Sequence, residues 1–206
     1  MHVELLDTLR CTAPHEPSWL VAAATRTEGR FIIEGTLGCP VCGAEYAIRA
    51  GAAWFGEQDA ESALAGSITS EEEVTRLAAF LGFDDRGGLY LLEGPLAVMA
   101  EPLADVSPAR FILHAPPEHC PGHAILRGVG DLVPLAEGVL RGAAISRASG
   151  ALAAAVARAL LTKGRLVAPA GTPVPDGITV LARDERQWVG ERGAMATMPV
   201  SIGRRG

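Results

Sequence analysis

The chain has 206 residues, a formal net charge of −6 and a hydrophobic fraction of 49% against 20% charged residues. That length makes one large domain or two small ones, and the balance excludes a wholly disordered chain. The acidity counts against nucleic acid as a default partner, four cysteines are too few and too unevenly spaced for a disulfide scaffold, and aromatics at 5% favour helices packed on a sheet over an aromatic-rich barrel.

Residues 1–56 form one compositional unit. Positions 3–10 set apolar side chains at helical spacing and lead to Cys11. Segments 19–24 and 30–37 read as strands, the second ending just before Cys39, and 45–49 alternates as a third. Residues 57–69 are small and polar, a linker. Ser70 followed by Glu73 predicts a capping box, with Val74, Leu77, Ala78 and Leu81 on one helical face and Gly82 as the stop. From Leu89 strands alternate with helices. Strands are predicted at 89–92, 110–114, 123–127, 142–146 and 165–168, with a helix at 96–103 interrupted by Pro102. Segment 151–161 predicts a helix apolar nearly all round, hence buried on more than one side, with Lys163 and Gly164 at its C-terminal end. Segments 177–182 and 196–202 are expected to close the sheet as a hairpin pair. This βαβ order predicts an open, mostly parallel sheet with helices on its faces.

Cys39-Pro40-Val41-Cys42-Gly43 is the strongest local signal. Two thiolates two residues apart can hold one tetrahedral ion from a tight turn, and zinc needs two further ligands. Cys11 and His15 supply them as Cys-x3-His, giving a Cys3His set; Glu16, His2 or a remote histidine are alternatives to His15. A second group, His114, His119, Cys120 and His123, lies in a proline-rich stretch. It reads as a surface loop, with metal ligation as the alternative.

Two stretches carry resemblances. Leu5-Leu6-Asp7-Thr8-Leu9-Arg10-Cys11, Ile33-Glu34-Gly35-Thr36-Leu37-Gly38-Cys39-Pro40-Val41-Cys42-Gly43 and Glu45-Tyr46-Ala47-Ile48-Arg49 together resemble the small zinc-binding activator subunits of methyltransferases, best known for activating tRNA methyltransferases. This covers about a quarter of the chain. It departs where many members have a second-ligand cysteine and this chain has His15, and where Ala47, Ala50 and Ala52-Ala53 replace the family's proline-containing hairpin end. Gly130-Asp131-Leu132-Val133-Pro134-Leu135 and Ala159-Leu160-Leu161-Thr162-Lys163-Gly164-Arg165-Leu166-Val167 resemble a class I S-adenosylmethionine-dependent methyltransferase. By that resemblance Asp131 would meet the adenine amino group. The family's Gly-x-Gly-x-Gly turn is here Glu93-Gly94-Pro95-Leu96-Ala97, and the acidic ribose-binding position is His114. Proline and leucine stand where backbone should approach the cofactor.

The expected fold class is therefore α/β. A small zinc-ribbon-like module (1–56) and a linker (57–69) precede a shortened, Rossmann-like, mostly parallel sheet with a C-terminal antiparallel hairpin (70–206). The expected function is a non-catalytic zinc-binding adaptor or regulatory protein, with structural zinc on Cys11, His15, Cys39 and Cys42 and S-adenosylmethionine not expected to bind. Its partner would be another protein, such as a methyltransferase, or a second copy. Trp19, Trp54, Phe55 and Trp188 are candidate anchors. The alternative is an active methyltransferase with an atypical cofactor site that uses Asp131 and Glu93. A zinc-ribbon nucleic-acid binder using Arg26, Arg30 and Arg49 is opposed by the charge. Without a basic-then-apolar leader or a long apolar span, neither export nor a membrane is expected, and the cytoplasm is the expected compartment.

Overall fold

The computed structural model describes residues 1–57, 70–84, 86–117, 120 and 122–194. It is a mixed α/β structure with few helices, and eleven strands among these residues form one sheet. The first four are β1 (Val21–Glu28), β2 (Phe31–Gly38), β3 (Glu45–Arg49) and β4 (Ala52–Trp54). Then come helix α1 (Glu71–Leu81), β5 (Gly88–Glu93), helix α2 (Ala100–Asp105), β6 (Ala109–His114), β7 (Ala124–Arg127) and β8 (Leu140–Ala144). Helix α3 (Gly150–Ala159), β9 (Leu160–Pro169), β10 (Ile178–Arg183) and β11 (Gln187–Arg192) complete the chain order. Across the sheet the strands run β1-β2-β3-β4-β7-β6-β5-β8-β9-β11-β10. Every ladder from β4 to β9 is parallel; an antiparallel meander, β1 to β4, flanks this centre on one side, and on the other β11 pairs antiparallel between β9 and β10.

The central strands are mostly apolar because both their faces are covered, with Arg110 of β6 and Arg141 of β8 each near its strand's amino end. On one face α1, the 3-10 turn Gly94–Met99 and α2 pack Val74, Leu77, Leu81, Ala97 and Leu103 against Tyr90, Leu92, Phe111 and Leu113. On the other, α3 shares the cover with residues 1–20, whose Met1, Leu5 and Leu9 are buried over Leu91, Ile112 and Leu126. The amino-terminal segment thus takes the layer that a crossover helix between β6 and β7 would fill. The same apolar cluster includes Leu37, Tyr46 and Ile48 of the first hairpins.

The seam between the two compositional halves is a parallel ladder. It pairs Ala52 with Ile125, Ala53 with Leu126 and Trp54 with Arg127. Beyond it Gly56 meets Gly128 so closely that a Cβ at 56 would lie 2.6 Å from the Gly128 carbonyl oxygen. Strand β4 escapes sequence reading because its three residues are too short to show alternation. Ala50 and Gly51, both at positive φ (48° and 78°), make the two-residue turn that returns the chain from β3 into it.

Several expectations change. Residues 3–10 are not a helix. Only Val3–Leu5 makes a 3-10 turn, because Leu9 and Arg10 extend to form bridges with Leu135 and Trp19. The 96–103 helix divides into the 3-10 turn and α2, where Pro102 falls in the first turn and interrupts no ladder bond. Helix α3 stops at Ala159 and runs straight into β9, so Lys163 and Gly164 belong to a strand, not to a helix end. The closing hairpin is present, but its second arm is β11, because Asp184 Oδ1 accepts from the amides of Arg186 and Gln187 and turns the chain there. The expected strand at 196–202 and residues 58–69 of the linker lie outside the described residues. Helix α1 carries both arms of its capping box, Ser70 with Glu73, and ends at left-handed Gly82. Among the described residues no helix is long and apolar enough to cross a membrane.

Of the candidate anchors, Trp188 is fully buried and donates its indole N–H to the Thr172 carbonyl, while Trp54 and Phe55 are half-buried. Trp19 is 63% exposed, with the Arg10 guanidinium over its ring. Arg26 is paired with Glu28 and Glu34, and Arg30 with Glu4, so carboxylates offset these two, while the Arg49 guanidinium lies over the Trp54 ring.

Candidate metal centre

The turn after β2 positions two of the four ligand candidates. The Cys39 amide donates to the Ala44 carbonyl and the Gly43 amide to the Cys39 carbonyl, with Gly43 at φ 72°. This tight loop aims the Cys39 and Cys42 sulfurs the same way. The other two come from a loop closed at its base by the Cys11 amide on the Ser18 carbonyl, next to the Arg10–Trp19 bridge. The ligand atoms of Cys11, His15, Cys39 and Cys42 all lie within 4.8 Å of one another.

The spacing fits a tetrahedral ion. Bonds of about 2.3 Å to sulfur and about 2.0–2.1 Å to nitrogen give edges of about 3.8 Å between sulfurs and about 3.5 Å between sulfur and nitrogen. Cys11 Sγ and Cys42 Sγ are 3.8 Å apart, and Cys39 Sγ is 3.4 Å from His15 Nε2. His15 Nδ1 donates to the Glu16 carbonyl at 2.6 Å, which fixes the tautomer and turns the Nε2 lone pair toward the sulfurs. That hydrogen bond, followed by the Cys11 sulfur, raises the pKa of the ring.

Burial pushes the Cys39 thiol up, but the amides of Cys42 and Val41 and the neighbouring sulfurs outweigh it and bring the pKa to about 6. For Cys11 burial also acts upward and is outweighed by the Tyr46 hydroxyl, the Ala13 amide and His15. Cys42 accepts from the Ala44 amide, yet burial and the adjacent sulfurs leave its pKa raised. Donors thus face the sulfurs before any ion is bound, as thiolate ligation requires. Tyr46 is the group that sequence reading missed. Its hydroxyl lies 3.3 Å from Cys11 Sγ and 3.0 Å from Thr12 Oγ1, and accepts from the Thr12 amide, so it anchors the ligand loop to β3. In the sequence it stands as a strand residue and as part of the activator-like motif, with no role toward the ligands.

The two candidate cofactor contacts meet at the carboxyl ends of β5 and β8, through a residue the sequence did not flag. Glu93 is 2% exposed. Its Oε2 accepts from the Ser146 amide (2.8 Å), the Ser146 hydroxyl (2.7 Å) and the Arg147 amide (3.3 Å), and its Oε1 from Arg147 Nε (2.6 Å). Burial raises the pKa of Glu93, but Ser146 and Arg147 hold it below the usual carboxylate value. The same guanidinium reaches the Gly130 carbonyl at 2.8 Å and Asp131 Oδ1 at 3.3 Å. Arg147 therefore spans from β5 to the loop before β8.

The second histidine group does not converge among the described residues. His114 is fully buried, with Nε2 on the Leu132 carbonyl at 2.8 Å and Nδ1 unpartnered, and burial lowers its pKa. His123 is half-buried beside Phe111, and His119 lies outside the described residues. No protein-family model matches the chain, and no curated protein matches it.

Proposed function

We propose that this chain is a non-catalytic scaffold that acts through a protein partner or a second copy, with structural zinc on Cys11, His15, Cys39 and Cys42. Four protein ligands leave no open coordination position, so zinc would hold the ligand loop and the first hairpins rather than activate water. The strand order β7-β6-β5-β8-β9 is that of a doubly wound sheet read 3-2-1-4-5, whose ligand crevice lies at the carboxyl ends of the strands where the order reverses. This supports the methyltransferase-like reading of the second half.

The observation that carries the proposal is the fate of Glu93. It stands at that crevice and is saturated by Ser146 and Arg147, and Arg147 also joins it to Asp131. Both acidic groups that the alternative would use, Glu93 and Asp131, are thus engaged by Arg147. The strand is followed by a single glycine, Pro95 and a 3-10 turn, so no α-helix start offers its amides to a ligand. The test is titration calorimetry of the zinc-loaded chain with S-adenosylmethionine. No heat at millimolar ligand is expected; micromolar binding abolished by Asp131→Ala would establish the alternative, an active methyltransferase.

A further inference from the structure

The ladder between β8 and β9 is broken. Leu140 pairs with Leu160, yet Gly142 pairs with Arg165, so residues 161–164 bulge opposite Arg141. Backbone packs on backbone at Gly164, where a Cβ would meet the Leu161 and Leu140 carbonyl oxygens at 2.8 and 3.1 Å. The bulge presents Lys163, the only lysine of the chain, at φ 66°. Glycine adopts that left-handed conformation freely and lysine does not.

The bulge walls a pocket of about 580 Å³ at the amino ends of β5, β8 and β9. Arg86, Arg141, Lys163 and Arg165 line it, with Tyr90 and Glu191. Two of the guanidinium groups are fixed in place. Arg141 holds Asp84 through two hydrogen bonds, 3.0 and 2.8 Å, and donates to the Gly87 carbonyl. Arg165 donates to the Ala79 and Phe80 carbonyls at the end of α1. Arg86 and Lys163 are exposed, and Arg86 lies only at the edge of contact with Asp84, 4.0 Å away. Among the described residues, four cations face Asp84 and Glu191, a local surplus of positive charge on a chain of net −6.

We propose that this pocket binds a phosphate-bearing small molecule, with Lys163 and Arg86 on the phosphate oxygens and Arg165, whose partners are neutral carbonyls, supplying a fixed positive charge, while Arg141, offset by Asp84, braces the wall. Its volume is that of a small-ligand site. Guanidinium forks and an ammonium point charge suit phosphate oxygens. The pocket lies at the opposite ends of the strands from the Glu93–Arg147 crevice and does not depend on how that crevice is read.

Calorimetry of the full chain with inorganic pyrophosphate at low ionic strength tests it. Saturable one-site binding is expected, weakened at least tenfold by Lys163→Gly and by Arg86→Ala, and unchanged by Arg30→Ala. Lys163→Gly is the informative variant, because glycine relaxes the strained backbone and the melting temperature should not fall. Absence of pyrophosphate binding by the wild-type chain, or wild-type affinity in folded Lys163→Gly, would overturn the proposal.

Discussion

The Glu93 carboxylate and the Arg147 guanidinium meet at 2.6 Å where the neighbouring parallel strands β5 and β8 end. A buried carboxylate in an apolar sheet is costly unless every lone pair is answered, and here two amides, a hydroxyl and a guanidinium answer it. The same guanidinium that satisfies Glu93 also reaches Asp131, so one side chain ties the end of β5 to the loop before β8.

Arg147→Ala should therefore destabilise the fold by about 2 kcal/mol. That is less than the about 3–5 kcal/mol for breaking a fully buried pair, because the Arg147 side chain is 40% exposed and Ser146 still holds the carboxylate. Since Glu93 has a lowered folded pKa, its contribution is present above the unfolded value and lost as pH falls through the folded one. Urea midpoints measured from pH 7 down to pH 3 should fall less steeply in Glu93→Gln than in wild type. Parallel curves would mean that folding does not shift the Glu93 pKa.

Cys39→Ser and His15→Ala test the metal centre from its two loops. Purified wild-type chain should hold close to one equivalent of zinc, and Cys39→Ser well under half. Losing the ion should lower the melting temperature by roughly 6–12 °C, equivalent to about 3 kcal/mol in a domain of this size. Cys120→Ser, outside the ligand group, should leave zinc content unchanged. Because ligand thiols must be deprotonated, zinc affinity should weaken steadily as pH is lowered. A full zinc complement in Cys39→Ser would refute the site.

The metal centre was legible because its chemistry is local. Cys39 and Cys42 share one turn, and Cys11 and His15 share one loop, so each pair is marked by its spacing; that the two loops meet, and that His15 rather than Glu16, His2 or a remote histidine completes the group, only the fold shows. The capping box of Ser70 and Glu73 was legible for the same reason. What sequence hid was settled across the chain. Glu93 and Arg147 are 54 positions apart, and nothing marks an arginine after a strand as the partner of a glutamate. Apolar spacing at 3–10 reads as a helix, although the Thr8 carbonyl accepts from the Ala136 amide and the Arg10 amide donates to the Pro134 carbonyl, both in another segment. Lys163-Gly164 has the composition of a helix end, and only the pairing of β8 with β9 makes it a bulge.

Tyr46→Phe isolates the support of the ligand loop. It keeps the ring that packs 4.8 Å from Phe55 but removes the hydroxyl shared by Cys11 and Thr12. Stability of the zinc-loaded chain should fall by only about 1 kcal/mol. Zinc affinity, measured by competition with a chromophoric chelator, should drop about 10-fold or more, as for other outer partners of metal ligands. Unchanged affinity would show that Cys11 does not depend on Tyr46.

Gly56→Ala bears on how the two halves are joined. The added Cβ would lie 2.6 Å from the Gly128 carbonyl oxygen, a backbone atom that cannot rotate away. Strain of about 1–3 kcal/mol is expected, as for other overpacked sites. It should be felt at the seam, because the Phe55 amide donates to the Arg127 carbonyl one residue before the contact. Hydrogen exchange should accelerate first in β4 and β7, which lose their mutual ladder, while β5, paired on both sides by β6 and β8, stays protected. If the hairpins and the central sheet were independent units, Gly56→Ala would leave exchange in β7 at its wild-type rate.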